Sequence, residues 1–544
     1  MKKINRLTLV LTLMAAGLFA GCASDEEATR ENQKIALDGS HFKFTEVAYQ
    51  ADQAVTRAAA SVKPTTVDLG DGLEAEVSVT PDAPTGKTRA VDPISDGKYT
   101  ILAFDATTHD LQGKLEGSVT GGVFTPDAGQ KLLLDPGTYD FTCFSEPVEY
   151  DEPNNRLVVH NGLKSPTIGH VQATIAGDDY EVVFNMEHKS ARVRLNITSD
   201  ILSENTPIDA YLEGSVFGPW YWVHDWYTAY SGVLNNAGNG DFGSGTLNFK
   251  TVAPVTTQAG TTYTSDYVYM LQGVSSHDNL STYAIHFNAG TIGGASLVGK
   301  TVGVSAPSQW TTNQSITINV NVKGQLYLFE DGKARVLAGK GTHTPIGVVL
   351  QQKWEPTNQK GIAIALKDVS NATVAYTTPY NAAKMNTQHN TTHYTDANDA
   401  VNDMEGYKWT YEKAGSVDGR IKANFSSDYT PFYQAANYNP GVMVTGANVG
   451  KWYVPALGEW ALSWKVLGQW DGNIPSWGML TMSVAKMNNI FTAANGEALK
   501  TYQYWNSTEY EGMMIPVLYV GTAFSISSNA THNITGYVRP FVHF

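Results

Sequence analysis

Cysteine is the scarcest residue in this chain, with two copies in 544 residues, Cys22 and Cys143. If Cys22 is modified, as the N-terminal pattern below indicates, one thiol remains and no intramolecular disulfide can form. Cys143 lies in the apolar segment Tyr139–Phe144, where a lone cysteine is usually a small core hydrophobe. We therefore expect packing and hydrogen bonds, rather than covalent cross-links, to hold the fold.

Positive charge is also in short supply: 37 Lys and Arg against 52 Asp and Glu give a net charge of −15. Binding of phosphate backbones needs clustered cations, so this balance argues against a nucleic-acid partner. Long apolar runs of helical period are few, whereas aromatic residues reach 11% and glycines number 50. This composition favours a mainly β chain, and its length is enough for three domains.

The N-terminus, residues 1–21, reads as a signal peptide, because Lys2, Lys3 and Arg6 precede an apolar run too short to remain as a membrane-spanning helix. The run ends in LFAGC, which resembles a lipobox with phenylalanine where leucine is usual. This resemblance implies a lipid (diacylglyceryl and palmitate) anchor on Cys22. The acidic segment Ser24–Glu27 that follows, Ser-Asp-Glu-Glu, resembles the signal that sends lipoproteins to the outer face of some outer membranes. The alternative is an ordinary cleaved signal with an incidental cysteine.

The region from residue 35 to 195 alternates in the manner of β-strands. Strand-like runs occur at Thr66–Thr80, Tyr99–Asp105 and Glu181–Thr198, and Lys131–Phe144 contains a Pro-Gly turn typical of a hairpin. No segment here has the length and period of an ordinary helix, so a β-sandwich over residues 58–195 is the economical prediction. Residues 196–323 read as a second β domain.

Four features in this order resemble the fimbrillin (Mfa-like, type V pilus) family: the lipobox, Y-x-x-x-A-F-D at 99–105, L-x-P-G-x-Y-x-F at 134–141, and F-x-M-x-H-K-x-A-R-V-R-L at 184–195. The resemblance implies two fimbrillin-type β-sandwich domains. It also implies that an arginine-specific protease removes the first strand, so that a strand of another fimbrillin subunit fills the open groove by donor-strand exchange, a form of β-augmentation.

Two arginines match that processing step. Arg57 follows the candidate first strand, His41–Tyr49, closely and is the first choice, which makes residues 22–57 a lipidated propeptide segment. Arg89 is the second choice. Both lie in loops rich in small residues, as a protease site should, and the remaining alternative is that neither is cut.

An aromatic segment, Phe217–Tyr230, stands out in the second domain because it carries three tryptophans and three tyrosines. Flat apolar rings suit the C–H faces of sugars, so one hypothesis is a carbohydrate platform. The favoured interpretation is a core hairpin or a plug between domains.

Three ordered motifs mark the end of the chain: W-Y-x-P-A-x-G-E at 452–459, Y-W-x-S-T-E at 504–509 and V-R-P at 538–540. They resemble the C-type-lectin-like and formylglycine-generating-enzyme-like superfamily, and with Gly347–Leu366 the resemblance covers residues 324–544. We predict that Gly324–Ala338 is a linker into this α+β domain. The predicted structural residues are Trp452, Glu459, Trp505 and Arg539. Because a buried acid needs a partner and Arg539 is the only cation in the two later motifs, we predict a Glu459–Arg539 ion pair.

The chemistry of the catalytic and calcium-binding relatives is not expected here. Copper held by cysteines is excluded, since residues 324–544 contain no cysteine. The E-P-N loop of calcium-dependent lectins is interrupted by Thr357, and the W-N-D triplet lacks its acid at Ser507, which leaves too few oxygens for a hard cation.

Other candidate sites in this domain are weak. His389 and His393 share the spacing of a zinc helix but lie in an Asn/Thr-rich loop without the glutamate of H-E-x-x-H. The acidic run 396–405 could gather on calcium, although a solvated loop is the simpler interpretation. No catalytic triad or carboxylate pair stands out, so we expect no enzyme, no cofactor and no metal.

The expected ligand-binding segment is the loop Leu467–Leu480, with Trp470, Asp471, Asn473 and Trp477, because binding residues gather on loops over a rigid scaffold. The ligand would be a host or bacterial surface glycan or protein. If Val538–Phe544 completes its own sheet, that strand cannot be donated, which indicates a pilus tip subunit with an adhesive C-terminal domain, on the cell surface or fimbrium. The alternative is a non-polymerising outer-membrane lipoprotein that binds glycans for nutrient uptake.

Overall fold

The computed structural model describes residues 34–49, 64–82, 91–160, 162–176, 180–202, 206–214, 221–222, 224–236, 242–243, 247–251, 253–271, 282–305, 311–379, 387–474, 479–510, 515–521, 523–530 and 534–544. Its fold class is mainly β, which confirms the prediction from composition and alternation. Among the helices in these ranges, none is long and apolar enough to cross a membrane.

In the described ranges, the first part of the chain forms fifteen strands, several of which alternate between buried and more exposed side chains. They are β1 Ile35–Leu37, β2 Phe42–Val47, β3 Thr65–Gly70, β4 Leu73–Pro81, β5 Val91–Asp92, β6 Gly97–Asp105, β7 Leu111–Thr120, β8 Val123–Pro126, β9 Leu132–Leu134, β10 Gly137–Ser145, β11 Val148–Asp151, β12 Arg156–His160, β13 Thr167–Ile175, β14 Val182–His188 and β15 Ser190–Ser199.

The described residues in the middle of the chain add fourteen strands, most of them short. They are β16 Asp209–Gly214, β17 Tyr221–Trp222, β18 His224–Thr228, β19 Leu234–Asn236, β20 Phe242–Gly243, β21 Leu247–Lys250, β22 Val255–Thr257, β23 Gly260–Thr264, β24 Val268–Leu271, β25 Thr282–Phe287, β26 Thr291–Ile292, β27 Ala295–Ser296, β28 Thr301–Ser305 and β29 Ser315–Gly324.

The last part mixes strands with helices. The strands are β30 Tyr327–Phe329, β31 Ala334–Arg335, β32 Pro345–Gln351, β33 Ile362–Ala365, β34 Val374–Ala375, β35 Trp452–Tyr453, β36 Gln503–Tyr504, β37 Ile515–Val520, β38 Phe524–Ala530, β39 Thr535–Gly536 and β40 Phe541–His543. The helices are α1 Ala397–Ala400, α2 Gly406–Tyr411, α3 Thr430–Ala436, α4 Leu457–Gly468 and α5 Val484–Ala493.

The first unit is built on an eight-stranded sheet in the order β5-β2-β14-β13-β10-β6-β7-β8. Strand β10 lies inside it, antiparallel to β13 and β6, and both of its faces are buried, with Phe141 and Cys143 on one side and Phe144 on the other. Cys143 is fully buried, and burial raises the pKa of its thiol well above the usual range. It is a core residue, as its apolar surroundings predicted.

The predicted first strand, His41–Tyr49, is observed as β2, which lies between β14, parallel to it, and the two-residue strand β5. Phe42 is buried against Phe124, Phe141 and Phe184, and Phe44 stacks on Phe184 at 5.5 Å between ring centroids. The strand is thus an integral part of the first unit's core.

The same strand carries one buried acid, which the apolar pattern did not single out. The Glu46 carboxylate accepts hydrogen bonds from the Ser95 backbone N–H at 2.8 Å and hydroxyl at 3.1 Å, and lies 3.4 Å from Nε2 of His188. The polar contacts of Glu46, together with the packing of the phenylalanines, therefore fix the register of β2 against β14.

The second unit packs a seven-stranded sheet, β22-β23-β15-β29-β4-β3 with β24 also paired to β15, against a four-stranded sheet, β21-β16-β25-β28. Strands β3 and β4 belong to the segment 58–195, yet β4 pairs with β29 over nine residues, from Leu73 to Pro81. Strand β15 runs unbroken from Ser190 to Ser199 across the predicted boundary. Residue 195 therefore does not separate the two sheets.

Residues 224–230 of the aromatic segment pack against the protein. Strand β18 joins β11, β12 and β19 in one sheet, and Tyr227 is buried in a cluster with Phe104 and Leu157. The Arg156 guanidinium lies 4.0 Å from the centre of the Trp226 ring. These contacts support a core and interface role for these rings; Trp220 lies outside the described residues.

The predicted linker Gly324–Ala338 is wrong, because this segment contains strands β30 and β31 of the next sheet. Only Gln325 and Leu326 separate β29 from β30. Leu326, Leu328 and Val336 are buried in the core of the second unit, so apolar side chains make the connection a packed junction.

The C-terminal module, defined here as residues 327–544, is organised on a six-stranded sheet in the order β31-β30-β32-β33-β40-β35. Successive strand residues point to opposite faces. Ile362, Ile364 and Phe541 meet the side of the helices α4 and α5, whereas Ala363 and Val542 join the core of the second unit. The module is therefore α+β, as predicted, and its sheet is covered on both sides.

Candidate functional site

Strand β40 is enclosed within the central sheet of the C-terminal module. It pairs with β33 on one side, with Ile364 opposite Phe541, and with β35 on the other, with Tyr453 opposite Phe541. Backbone hydrogen bonds between Phe544 and Gly361, at 3.0 and 3.1 Å, extend this pairing to residue 544. The segment is part of its own fold and is not free to pair elsewhere.

Arg539 anchors the approach to this strand, but its partner is not the predicted one. Its Nε donates to Oδ1 of Asp368 at 2.6 Å, and both side chains have no exposed surface. The guanidinium also donates to the backbone oxygens of Leu366 at 3.1 Å and Glu497 at 3.2 Å. The predicted Glu459–Arg539 pair is therefore wrong, because the guanidinium of Arg539 points towards Asp368, which follows β33, and not towards Glu459.

Burial acts on both members of the Asp368–Arg539 pair. It raises the pKa of Asp368, although the charge and hydrogen bond of Arg539 counteract this effect. Burial lowers the pKa of Arg539, but the Asp368 carboxylate outweighs this effect and the net pKa is raised, so the guanidinium stays charged. The Tyr504 hydroxyl donates to the second carboxylate oxygen of Asp368 at 3.0 Å. The second motif is thus tied to the third through an acid that lies outside all three motifs.

Glu459 caps helix α4 instead. Its carboxyl accepts a hydrogen bond from the Tyr453 hydroxyl at 2.6 Å and from the Ala456 backbone N–H at 2.7 Å. Burial raises the pKa of Glu459 to about 8. His543 lies 3.8 Å away, and burial, with the charge of Lys360, lowers its pKa to about 4. Both shifts favour the neutral forms, so we regard this contact at neutral pH as one between neutral groups rather than a salt bridge.

The two tryptophans predicted to be structural are buried. Trp505 is 2% exposed, and its indole N–H donates to the Val374 carbonyl at 2.9 Å. Trp452 is 6% exposed and packs edge-on to Tyr438 at 4.9 Å. Trp452 faces the second unit, whereas Trp505 fills a separate cluster with Tyr376.

The predicted ligand loop is partly tied down. Trp470 packs edge-on to the buried Trp464 at 5.7 Å, and its indole N–H donates to the Asn473 carbonyl at 3.0 Å. Asp471 is exposed, and its carboxylate accepts from the backbone N–H of Asn473 at 2.9 Å. Trp470 therefore anchors the loop, and Trp477 lies outside the described residues.

An open cleft of about 360 Å³ lies beside the end of this loop. Its walls carry two exposed tyrosines, Tyr502 at 44% and Tyr519 at 40% exposure, and the exposed Met479. Met479 pairs with Ser525 as a β-bridge, which joins the end of the loop to the cleft. Hydroxyl groups at Thr501 and Ser525 add polar character to the walls.

Like Trp477, the predicted lipid-attachment and processing residues Cys22, Arg57 and Arg89 lie outside the described residues. Sequence reasoning also missed two features of the module. Asp368 could have been noticed as the first acid after the apolar run 361–366. Tyr502 and Tyr519 carried no signal, because they are brought together only by the pairing of β36 with β37.

Comparisons with known proteins give remote structural matches only. No protein-family model matches the chain, and no curated protein matches it. A crystal structure of a candidate cell adhesion protein from Bacteroides fragilis is 14% identical, covering 52% of this chain and 93% of its own, with a TM-score of 0.31. A fimbrial protein from Bacteroides ovatus is 11% identical, covering 94% and 100%, with a TM-score of 0.25. Similarity at this level does not identify the function of this chain.

Proposed function

We propose that this protein is a surface-anchored fimbrial subunit that caps a pilus and adheres to carbohydrate through its C-terminal module. The observation that carries the proposal is the enclosure of β40 between β33 and β35. A fimbrial subunit that extends a fibre by strand exchange must offer a strand to its neighbour. Residues 541–543 already fill a position in their own sheet, and Arg539 holds the segment from inside the core.

The first unit supplies the acceptor side of this proposal. Removal of β1 and β2 would expose the edge of β14 and a groove lined by Phe124, Phe141 and Phe184. Leu37 and Phe42 are buried on these strands, and full burial of such side chains is worth about 1.5–3 kcal/mol each. The strands therefore stay in place without cleavage, and an incoming donor strand would regain a similar free energy.

The sheet pairing favours Arg57 over Arg89 as the cleavage point. A cut at Arg57 separates β1 and β2 from the rest of the chain and leaves β3 and β4 attached to the second unit. A cut at Arg89 would also detach β4, which contributes the buried Leu73 and Val77 and nine paired positions to the seven-stranded sheet. Processing at Arg89 would thus disrupt a second core.

Assembly can be tested with arginine variants in cells that carry the matching protease. We expect R57A to leave the anchored chain unprocessed and absent from fibre ladders on an unboiled denaturing gel, whereas R89A and the matched K63A variant are processed normally. In the wild type, the processed chain should begin at Ala58. A wild-type chain found solely as a band starting at Cys22 would contradict assembly and favour the non-polymerising glycan-binding lipoprotein.

The cleft at Tyr502 and Tyr519 supports a carbohydrate as the ligand. Two exposed phenol rings provide flat apolar faces with a polar edge, which suits the mixed apolar and hydroxyl surface of a sugar ring. Hydroxyl groups in the cleft walls, at Thr501 and Ser525, can exchange hydrogen bonds with those of the sugar. The cleft is open to solvent, as expected for capture of a chain end or an internal sugar of a longer glycan.

A glycan array probed with the full chain tests this ligand class. If each ring contributes about 0.5–1.5 kcal/mol, the Y502A/Y519A variant should bind roughly 5- to 150-fold more weakly. The matched control is Y433A, since Tyr433 is a tyrosine of the same module with 36% exposure. Equal binding by the double variant and the wild type would remove the cleft as the site, and an array without any bound glycan would remove carbohydrate as the ligand.

A further inference from the structure

The loop at 387–395 brings two histidines to the buried glutamate of the second motif. The ligand atoms of His389, His393 and Glu509 all lie within 4.8 Å of one another, and Nε2 of His393 is 3.5 Å from a carboxylate oxygen of Glu509. Glu509 is 1% exposed, whereas the side chain of His393 is 28% exposed. The three side chains thus form a group that is buried at one end and open to solvent at the other.

The backbone around this group is fixed by hydrogen bonds. The Asn390 N–H donates to the Glu509 carboxylate at 2.7 Å, and the Asn390 side chain donates to the Ser507 carbonyl at 2.6 Å. The Tyr394 N–H donates to the Glu509 carbonyl at 3.0 Å. The loop is therefore held on both sides of His393, and side-chain rotations can change the distances within the group.

We propose that His389, His393 and Glu509 bind a divalent transition-metal ion, with zinc as the expected one. Two imidazoles and one carboxylate are a common ligand set for zinc in sites that keep a fourth position for water. Bond lengths of about 2.0–2.1 Å place tetrahedral ligand atoms roughly 3.4 Å apart. Nε2 of His393 is already 3.5 Å from the Glu509 carboxylate, and the other separations are at most 4.8 Å. Rotation of the partly exposed imidazoles would have to close the remaining gap. Imidazole ligands disfavour calcium and magnesium, which prefer oxygen.

One buried cation shares this environment and bears on the affinity. Lys422 is fully buried, its ammonium donates to the Asn390 side-chain oxygen, and its charge interacts with that of Glu509. This positive charge weakens the attraction of the carboxylate for a metal ion. We therefore expect moderate, micromolar binding.

The test is calorimetric titration of zinc chloride into the untagged full chain after treatment with a chelator. The wild type should bind one zinc ion per chain, and H389Q and H393Q should each bind at least about tenfold more weakly, a loss of about 1.4 kcal/mol. The matched control is H343Q, because His343 is also half-exposed and lies 2.9 Å from the Glu330 carboxylate in the same module. Its zinc binding should equal that of the wild type.

Cobalt serves as a second probe, since four-coordinate cobalt(II) has intense visible absorption bands that wild type should show and H393Q should lose. These histidine variants are used because E509Q would also disturb the hydrogen bond to Asn390. Absence of saturable zinc binding by the wild type would overturn the proposal. So would H389Q and H393Q binding zinc as tightly as the wild type, or loss of binding in H343Q alone.

Discussion

Replacement of Arg539 by methionine is the most direct perturbation of the C-terminal strand. The change removes the charge that faces Asp368 and the donors to the Leu366 and Glu497 carbonyls, while it keeps a side chain of comparable length. Of the side-chain hydrogen bonds to Asp368 given above, only the one from Tyr504 would remain. The expected result is a large loss of stability of the C-terminal module.

The magnitude follows from complete burial. Breaking a buried ion pair by removing one partner costs about 3–5 kcal/mol, and neither side chain here has exposed surface. Loss of donors to buried carbonyls adds at least about 1 kcal/mol. We expect R539M to lower the free energy of unfolding by about 4–6 kcal/mol, or roughly 8–24 °C in Tm for a unit of this size.

Urea unfolding monitored by tryptophan fluorescence is a suitable assay, because the module contains the buried Trp409, Trp460 and Trp464. The matched control is K353M, since Lys353 forms an ion pair with Glu355 in which the side chains are 39% and 73% exposed. Such exposed pairs are worth about 0–1 kcal/mol, so K353M should unfold almost as the wild type does.

The double variant D368N/R539M sharpens the test. It no longer contains an uncompensated buried charge, so it should be more stable than R539M alone. If R539M unfolds within about 1 kcal/mol of the wild type, a value typical of surface pairs, or if D368N makes R539M worse, the ion pair does not hold the strand. The tip assignment would then lose its physical basis.

Two further predictions address pH and the first strand. The pKa of Glu459 is raised to about 8 from the ordinary 4.5, so its contribution to the free energy of unfolding is lost as the pH rises towards 8. The pKa of His543 is lowered to about 4 from 6.5, so the contribution of His543 is lost only as the pH falls below 6.5. Between pH 6.5 and 8 the free energy of unfolding of the wild type should therefore fall by up to about 2 kcal/mol. Urea titrations over this pH range test the prediction, and E459Q should lack the fall. After cleavage at Arg57, F42A should release the β1–β2 fragment at least about a hundredfold faster on size exclusion, since Phe-to-Ala changes in cores cost about 3–5 kcal/mol. V183A, at a half-exposed position opposite Lys43, should release it at the wild-type rate; equal rates for F42A would contradict the role of Phe42.

The apolar residues of His41–Tyr49, together with the family resemblance, indicated the first strand. Composition and alternation were sufficient to predict the mainly β fold, because the side chains of a half-buried strand alternate between its two faces. They could not reveal which sheet a strand joins. Strand β4 alternates between buried and more exposed side chains much as β14 of the first unit does, yet it pairs with β29, more than 200 residues away. Pairing at that distance depends on the packing of the whole chain.

The motifs located the buried residues of the C-terminal module but not their partners. Trp505, Glu459 and Arg539 are all buried as expected. The ion pair was misassigned because Asp368 lies outside the motifs and meets Arg539 only through the pairing of β33 with β40. The sequence likewise could not reveal that Glu509 lies beside His393, because the two residues are 116 positions apart in the sequence and 3.5 Å apart in space.

The packed junction after β29 has a mechanical consequence. Trp452, Val542 and Phe544 of the C-terminal module share one apolar cluster with Ile318 and Val320 of the second unit. A load applied to a bound ligand would pass through this shared cluster, with only two residues of chain between the strands that flank it. If the protein caps a fibre as proposed, the C-terminal module and the second unit would therefore resist shear together as one rigid piece, and bending would occur at other joints of the fibre.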